Sequence, residues 1–311
     1  MITLEALTKV YGERAAVSNL SMEIADGEIV MLVGPSGCGK TTTLKMINRL
    51  VEPTSGIIRI DGRETRTMEP TALRRTIGYV IQQVGLFPHL TVAENIATVP
   101  RLLHWDRRRI AARVEELLTL IGLPPAEFAG RLPSELSGGQ RQRVGVARAL
   151  GADPPVLLMD EPFGAIDPVT RDRLQSELRR LQTVLHKTIV FVTHDIDEAI
   201  RLGDRVALLD VGARLAQYDT PEHLLSAPSE PFVENFLGGG RLVRRLALVP
   251  LREAPLAAPD GRSPSIQIDI DATLRDALDA VLRAPDGTVA VVDGDRVAGL
   301  VDADVIRAAS R

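Results

Sequence analysis

Cysteine occurs once in the 311 residues, as Cys38, and lysine only four times, at Lys9, Lys40, Lys45 and Lys187, beside 33 arginines. A single cysteine excludes an internal disulfide and a cysteine-built metal cage, and fits a reducing cytosol. No run of about 18 apolar residues occurs, and the opening MITLEALTKV lacks a basic stretch followed by an apolar one. Neither a membrane-crossing helix nor a secretory leader is therefore expected. An excess of charge of either sign is lacking as well. The formal net charge is -4, 25% of residues are charged, and only Arg107 to Arg109 form a block that stands out. That pattern leaves no nucleic-acid footprint, and the arginine triplet reads as a solvated helix face in preference to a contact with anionic lipid. The length allows one sizeable domain and a smaller one.

Strand-like and helix-like stretches alternate from residue 1 to about 236, with short β-branched runs such as EIVMLVG and TIVFVTHD bounded by Gly, Asp or Pro. This rhythm predicts an α/β domain around a buried, largely parallel sheet. Within IAARVEELLTLIG, Val114, Leu117, Leu118 and Ile121 recur at helical spacing, so about 90–150 is read as a helical insertion. Residues 1–240 form the expected first domain, and the Pro- and Ala-rich 241–264 reads as a linker. In the tail, 265–311, strand, helix, strand, strand and helix are predicted. Ile266, Ile268 and Ile270 share one strand face, and Leu274, Ala277, Leu278, Val281 and Leu282 share one helix face.

The scarce lysine has a specific place. GPSGCGKTTT fits G-x-x-x-x-G-K-[ST] with Gly34, Gly39, Lys40 and Thr41, directly after the apolar IVMLV and before the helical TTTLKMINRL. Glycines let successive backbone N–H groups turn inward around phosphate oxygens, and the following helix offers its positive end to the same anion. Lys40 supplies a compact charge where a planar guanidinium would not enter the ring of amides. Thr41 is placed to put its hydroxyl on Mg²⁺, which P-loop enzymes need to neutralise the phosphates. Cys38 is read as contributing its backbone alone. Further on, VLLMDEP is an apolar run ending in two acids, as expected of a buried parallel strand opening at a ligand crevice. Asp160 there can hold the metal, and Glu161 can polarise an attacking water.

Between these motifs lies LSGGQRQRVGVARAL, and with it the first 240 residues resemble an ATP-binding subunit of the ABC transporter family. Ser137 with paired glycines opens a helix and makes a second anion-binding surface on one chain. The resemblance implies an α/β P-loop ABC-type nucleotide-binding domain with a helical insertion. It also implies a homodimer in which each ATP lies between two copies. One copy supplies Gly34, Pro35, Ser36, Gly37, Cys38, Gly39, Lys40, Thr41 and Thr42; the other supplies Ser137, Gly138, Gly139 and Gln140. It further implies that Tyr11 stacks on adenine and that Gln82, with Gln83 as the neighbouring alternative, reaches the metal and the water. Asp167 would link the two active sites, and His194 would contact the γ-phosphate and support Glu161. The implied cofactors are ATP and Mg²⁺, and no nucleic acid is implied.

Four segments, among them VIQQVGLFPHLTVAENIATVPRLLHW and LLMDEPFGAIDPVTRDRLQSELRRLQ, are similar to the importers of osmoprotectants and quaternary amines such as glycine betaine, choline and carnitine. In such systems a separate membrane permease and a substrate-binding protein complete the machine, and the ATPase lies in the cytoplasm, peripheral on the inner face of the cell membrane. Importers of sugars, polyols or amino acids, and more distantly a soluble non-transport ABC ATPase, remain the alternatives. The tail resembles a single CBS motif, a small α+β unit. Its 46 or so residues are too few to enclose a good core. Pairing of two tails, or docking of each on its own ATPase domain, is therefore expected. Asp302 and Val305 stand where a nucleotide-binding CBS pattern has Thr or Ser and then Asp, which favours bracing of a dimer over nucleotide sensing.

Overall fold

Alternating polar and apolar side chains in the first 24 residues produce two long antiparallel strands, β1 (Ile2–Tyr11) and β2 (Arg14–Ile24). They bury Val17, Leu20, Met22 and Ile24 on one face. In contrast, β3 (Ile29–Val33) has five apolar residues in succession and all are buried, the signature of a strand covered on both faces. The computed structural model describes residues 1–81, 85–164, 168–258, 264–294 and 296–309. It divides into two compact units, Met1–Thr220 and Pro221–Arg311.

In the first unit, β3 is followed by α1 (Lys40–Ile47), β4 (Ser55–Ile60), β5 (Arg63–Glu64), α2 (Pro70–Arg75) and β6 (Ile77–Val80). Five helices come next: α3 (Val92–Ile96), α4 (Thr98–Leu102), α5 (Arg107–Leu120), α6 (Pro125–Phe128) and α7 (Gly138–Leu150). The chain then returns through β7 (Val156–Asp160), α8 (Pro168–Leu185), β8 (Thr188–Val192), α9 (Ile196–Leu202), β9 (Arg205–Asp210) and β10 (Arg214–Asp219). Among the described residues no strand lies between β6 and β7, and Val114, Leu117 and Leu118 of α5 are buried as their spacing predicts.

Two sheets result. One is a four-stranded antiparallel sheet in the order β2-β1-β4-β5; the other has six strands in the order β10-β9-β3-β8-β7-β6. The second is parallel except for the pairing of β9 with β10. Leu32 and Asp160 both stand in register with Val192. The carboxyl ends of β3, β8 and β7 thus open side by side, where ligands of parallel α/β sheets bind.

The second unit contains α10 (Pro221–Ser226), α11 (Pro231–Leu237), α12 (Arg241–Leu246), β11 (Gln267–Asp269), α13 (Leu274–Arg283), β12 (Val289–Asp293), β13 (Arg296–Val301) and α14 (Ala303–Ala309). Its sheet has the order β11-β12-β13. The strand and helix sequence expected from 265 onward is the one observed. Three expectations differ. The division falls after Thr220 rather than at 240. The stretch 241–264 read as a linker is, in its described part, a piece of the tail's core: Leu246 and Leu251 are buried with Leu274, Val289 and Val301. Backbone hydrogen bonds lace this stretch to the tail, from Leu251 N to Ala272 O at 2.8 Å, Leu274 N to Val249 O at 2.9 Å and Ala257 N to Leu300 O at 2.9 Å. Its leucines supply apolar surface that 46 residues alone would lack. Leu282, finally, is 77% exposed, because the buried stripe of α13 runs through Leu274, Ala277, Ala280 and Val281 and turns away from it.

Leu251 is fully buried, so Leu251→Ala should destabilise the second unit by about 3 kcal/mol. Urea unfolding followed by circular dichroism measures this; an unpacked linker would give no change.

Candidate functional site

The loop after β3 is pressed against neighbouring backbone. Gly34 has φ 155°, and a Cβ there would lie 2.0 Å from Leu209 O. Gly39, at the N-cap of α1, has φ 115°, and its Cβ would lie 2.3 Å from Ala16 O. Both positions demand glycine, for conformation and for space. Bracing comes from a single 3₁₀ turn, Val211–Ala213, whose Ala213 N–H donates to Cys38 O at 2.6 Å. Cys38 itself is buried, while Ser36 and Gly37 are exposed at the rim and Pro35 is half-buried.

Lys40, only 6% exposed, curls back over this loop. Its ammonium donates to Gly34 O at 2.7 Å and Pro35 O at 3.0 Å. A buried ammonium carries three donors and a full charge, and neutral carbonyls leave the charge uncompensated. Together with the open end of the eight-residue α1, this arrangement fits an anion with several oxygens. Thr41 and Thr42 follow, both half-buried.

Thr41 Oγ1 donates to Asp160 Oδ1 at 2.9 Å. Burial pushes the Asp160 carboxyl above its usual range, opposed by the Thr41 hydrogen bond and by Lys45 and Lys40; Glu161 adds to the upward push. Two hard oxygen donors side by side, one a buried carboxylate whose charge is disfavoured, suit a divalent cation such as Mg²⁺. Next to it Glu161 has φ 43°, a left-handed conformation unusual for a glutamate, and its N–H donates to Val192 O at 3.0 Å. The turn swings its carboxylate out of the strand direction, so that Oε2 lies 3.3 Å from His194 Nδ1. The Glu161 side chain is 22% exposed and that of His194 59%. Asp160, Glu161 and His194, 34 residues apart at the extremes, are thus brought together with Thr41 at one sheet end.

Ser137 is the N-cap of α7. Its hydroxyl accepts from Gln140 N at 3.2 Å, and Gln140 Oε1 accepts from Ser137 N at 2.8 Å. Ser137 and Gly138 are exposed, Gly139 is half-buried, and a Cβ at Gly138 would meet nothing within 4 Å. Tyr11 is 51% exposed, with Lys9 Nζ 5.0 Å from its ring centroid. Gln82, Gln83 and Asp167 lie outside the described residues. Sequence reasoning missed the bracing of the loop by Leu209 and Ala213, which no local pattern signals. It also missed the buried Thr193, Gln175 and Glu198 behind His194, although Glu198 lies on the helix that follows the singled-out VTHD. A separate open groove of about 1130 Å³ lies among the insertion helices, lined by Ala97, Arg101, Trp105, Ile110, Val114 and Ala126 among others.

A glycine cradle between a central parallel strand and a helix, a lysine folded over it and a strand-end carboxylate facing the first threonine define a P-loop nucleotide-binding domain. Residues 17–164 match the ABC transporter family model. The chain is 49% identical to the choline transport ATP-binding protein OpuBA of Bacillus subtilis (strain 168), over 98% of this chain and 79% of that protein. It is 50% identical to the glycine betaine uptake system ATP-binding protein YehX of Escherichia coli (strain K12), over 89% of each. The dimeric structure of a bacterial ABC transporter cassette superposes with a TM-score of 0.64 at 38% identity, covering 71% of this chain and 99% of that one. The chain belongs to the ABC transporter family, as one of its ATP-binding ATPase subunits. Among the described residues no helix is long and apolar enough to cross a membrane.

Thr41→Val removes the hydroxyl and keeps the shape. The extra ATP affinity conferred by Mg²⁺ should fall about tenfold, with metal-free ATP binding unchanged, as read by titration of a fluorescent ATP analogue with and without the metal.

Proposed function

We propose that this chain is the motor of an importer for quaternary-amine osmoprotectants of the glycine betaine, choline and carnitine class. The observation that carries this reading is an assembled hydrolytic site, with Thr41 on Asp160 and Glu161 against His194, in a chain about half identical to choline and glycine betaine ATPases. The match to OpuBA spans 98% of this chain, tail included.

In this reading Gly34 to Thr42 cradle the ATP phosphates through backbone N–H groups, Lys40 turns one donor onto them, and Tyr11 stacks on adenine. Thr41, Asp160 and Gln82 hold Mg²⁺, which when bound neutralises phosphate charge. Glu161 accepts the proton of the attacking water, and His194 orients that carboxylate through its Nδ1 side. A second copy closes the site with Ser137, Gly138, Gly139 and Gln140, and Asp167 links the two sites of the homodimer. The groove on the insertion receives a cytoplasmic segment of a separate permease at the inner face of the membrane, and a substrate-binding protein delivers the solute on the far side. The tail is a single CBS-like unit that braces the dimer. Supporting this, Asp302 Oδ1 caps α14 by accepting the N–H groups of Asp304 and Val305, both at 2.9 Å, which puts a carboxylate where a nucleotide phosphate would need donors.

Glu161→Gln should retain ATP, trap the homodimer and lower turnover about 10²- to 10⁴-fold. Phosphate release and size-exclusion chromatography follow the two effects, and full turnover would remove Glu161 from the base role. Co-purification of the permease and uptake of labelled glycine betaine and choline, set against a sugar, test the cargo. Sugar uptake without betaine uptake would overturn it.

A further inference from the structure

Behind His194 lies a buried polar chain that neither the phosphate cradle nor the metal pair uses. Thr193 is 2%, Gln175 4% and Glu198 7% exposed. Gln175 Nε2, on α8, donates to Glu198 Oε1 at 2.9 Å, and Glu198 N donates to Asp195 Oδ1 at 3.3 Å. Thr193 Oγ1 accepts from Asp195 N at 3.0 Å, and Thr193 N donates to Leu32 O at 3.2 Å. The chain continues outward, where Arg201 donates to Gln175 Oε1 at 3.3 Å and to Asp172 Oδ1 at 3.1 Å.

A carboxylate in apolar surroundings is costly, and burial indeed pushes Glu198 above the usual carboxylate range, partly offset by Thr193 and Gln175. Core packing alone would be served at least as well by a leucine on this inner face of α9. What the carboxylate provides is an acceptor that ties α8 to α9, whose N-cap Asp195 directly follows His194. Thr193 is fixed to β3 and to Asp195, Asp195 is fixed to Glu198 N, and the backbone that carries the imidazole is therefore fixed with them.

We infer that Glu198, with Gln175, is a positioning residue for ATP hydrolysis: it clamps the first turn of α9 to helix α8 and so holds the His194 imidazole against Glu161. The inference rests on the hydrolytic roles given to Glu161 and His194 above. It makes α8 and the histidine one mechanical piece, since a displacement of α8 pulls on Glu198 through Gln175 and reaches His194 through its neighbours Asp195 and Thr193.

The test measures kcat and KM for Mg·ATP with the purified 311-residue chain. Thr193→Val, which keeps the shape and removes the hydroxyl, should lower kcat about 10- to 100-fold with KM within about twofold, and Thr193→Ser should restore most of the loss. Glu198→Gln, which replaces the charged acceptor of the Gln175 amide by a neutral one, should lower kcat about tenfold, and it carries the test should Thr193→Val not fold. Added to His194→Ala, Glu198→Gln should cost nothing more, because both act through the imidazole. Wild-type turnover in Thr193→Val and Glu198→Gln, a change confined to KM, or losses that multiply in the double variant would overturn the inference. Wild-type turnover in His194→Ala would instead overturn the role of His194 itself.

Discussion

A lysine ammonium removed from water and held by two carbonyls of its own loop is the constraint around which the first unit is arranged. The charge has to stay there without a carboxylate partner, because a carboxylate in contact with it would occupy the place of the phosphates. Neutral carbonyls of Gly34 and Pro35 solve this by orienting the side chain while leaving its charge uncompensated. The loop can present those carbonyls only by turning sharply, and it can turn sharply only if glycine stands where Leu209 and Ala16 press in. From one solvation requirement follow the glycine positions, the close approach of β9 and the location of the cradle at the centre of a parallel sheet.

The cradle and the carboxylates were legible in the sequence because their chemistry is local. Gly34 to Thr42 and Asp160 with Glu161 each sit in a few consecutive residues at the end of an apolar strand, and the spacing alone states the geometry. Parts of the site that depend on distant segments left no such trace. Ala213 steadies Cys38 from 175 positions away, and nothing in VGA announces it. Glu198 was hidden differently: a glutamate in DIDEAI reads as one more solvated acid, and only the fold shows α9 turning that side inward.

The tail shows the converse error. Proline and alanine in 241–264 suggested a flexible connection, but composition ignores the spacing of Leu246, Val249, Leu251 and Leu256, which pack against the tail. Once these are counted, the unit's core is larger than 265–311 alone implies, and the need for an outside partner to complete it is weaker than the sequence suggested. Leu282 failed for a simpler reason. A helix buries a stripe, and one residue past its edge faces water however apolar it is.

The turn at Ser137 has a consequence for repeated cycling. In its capping box the serine oxygen receives the Gln140 amide, which uses a lone pair and leaves the hydroxyl hydrogen uncommitted. In the proposed dimer an anion arriving at this turn would meet a hydroxyl whose oxygen is already held in place, and it could be taken up and let go without fraying the helix end. In the proposed homodimer, a contact made and broken at every turnover would then cost no local melting.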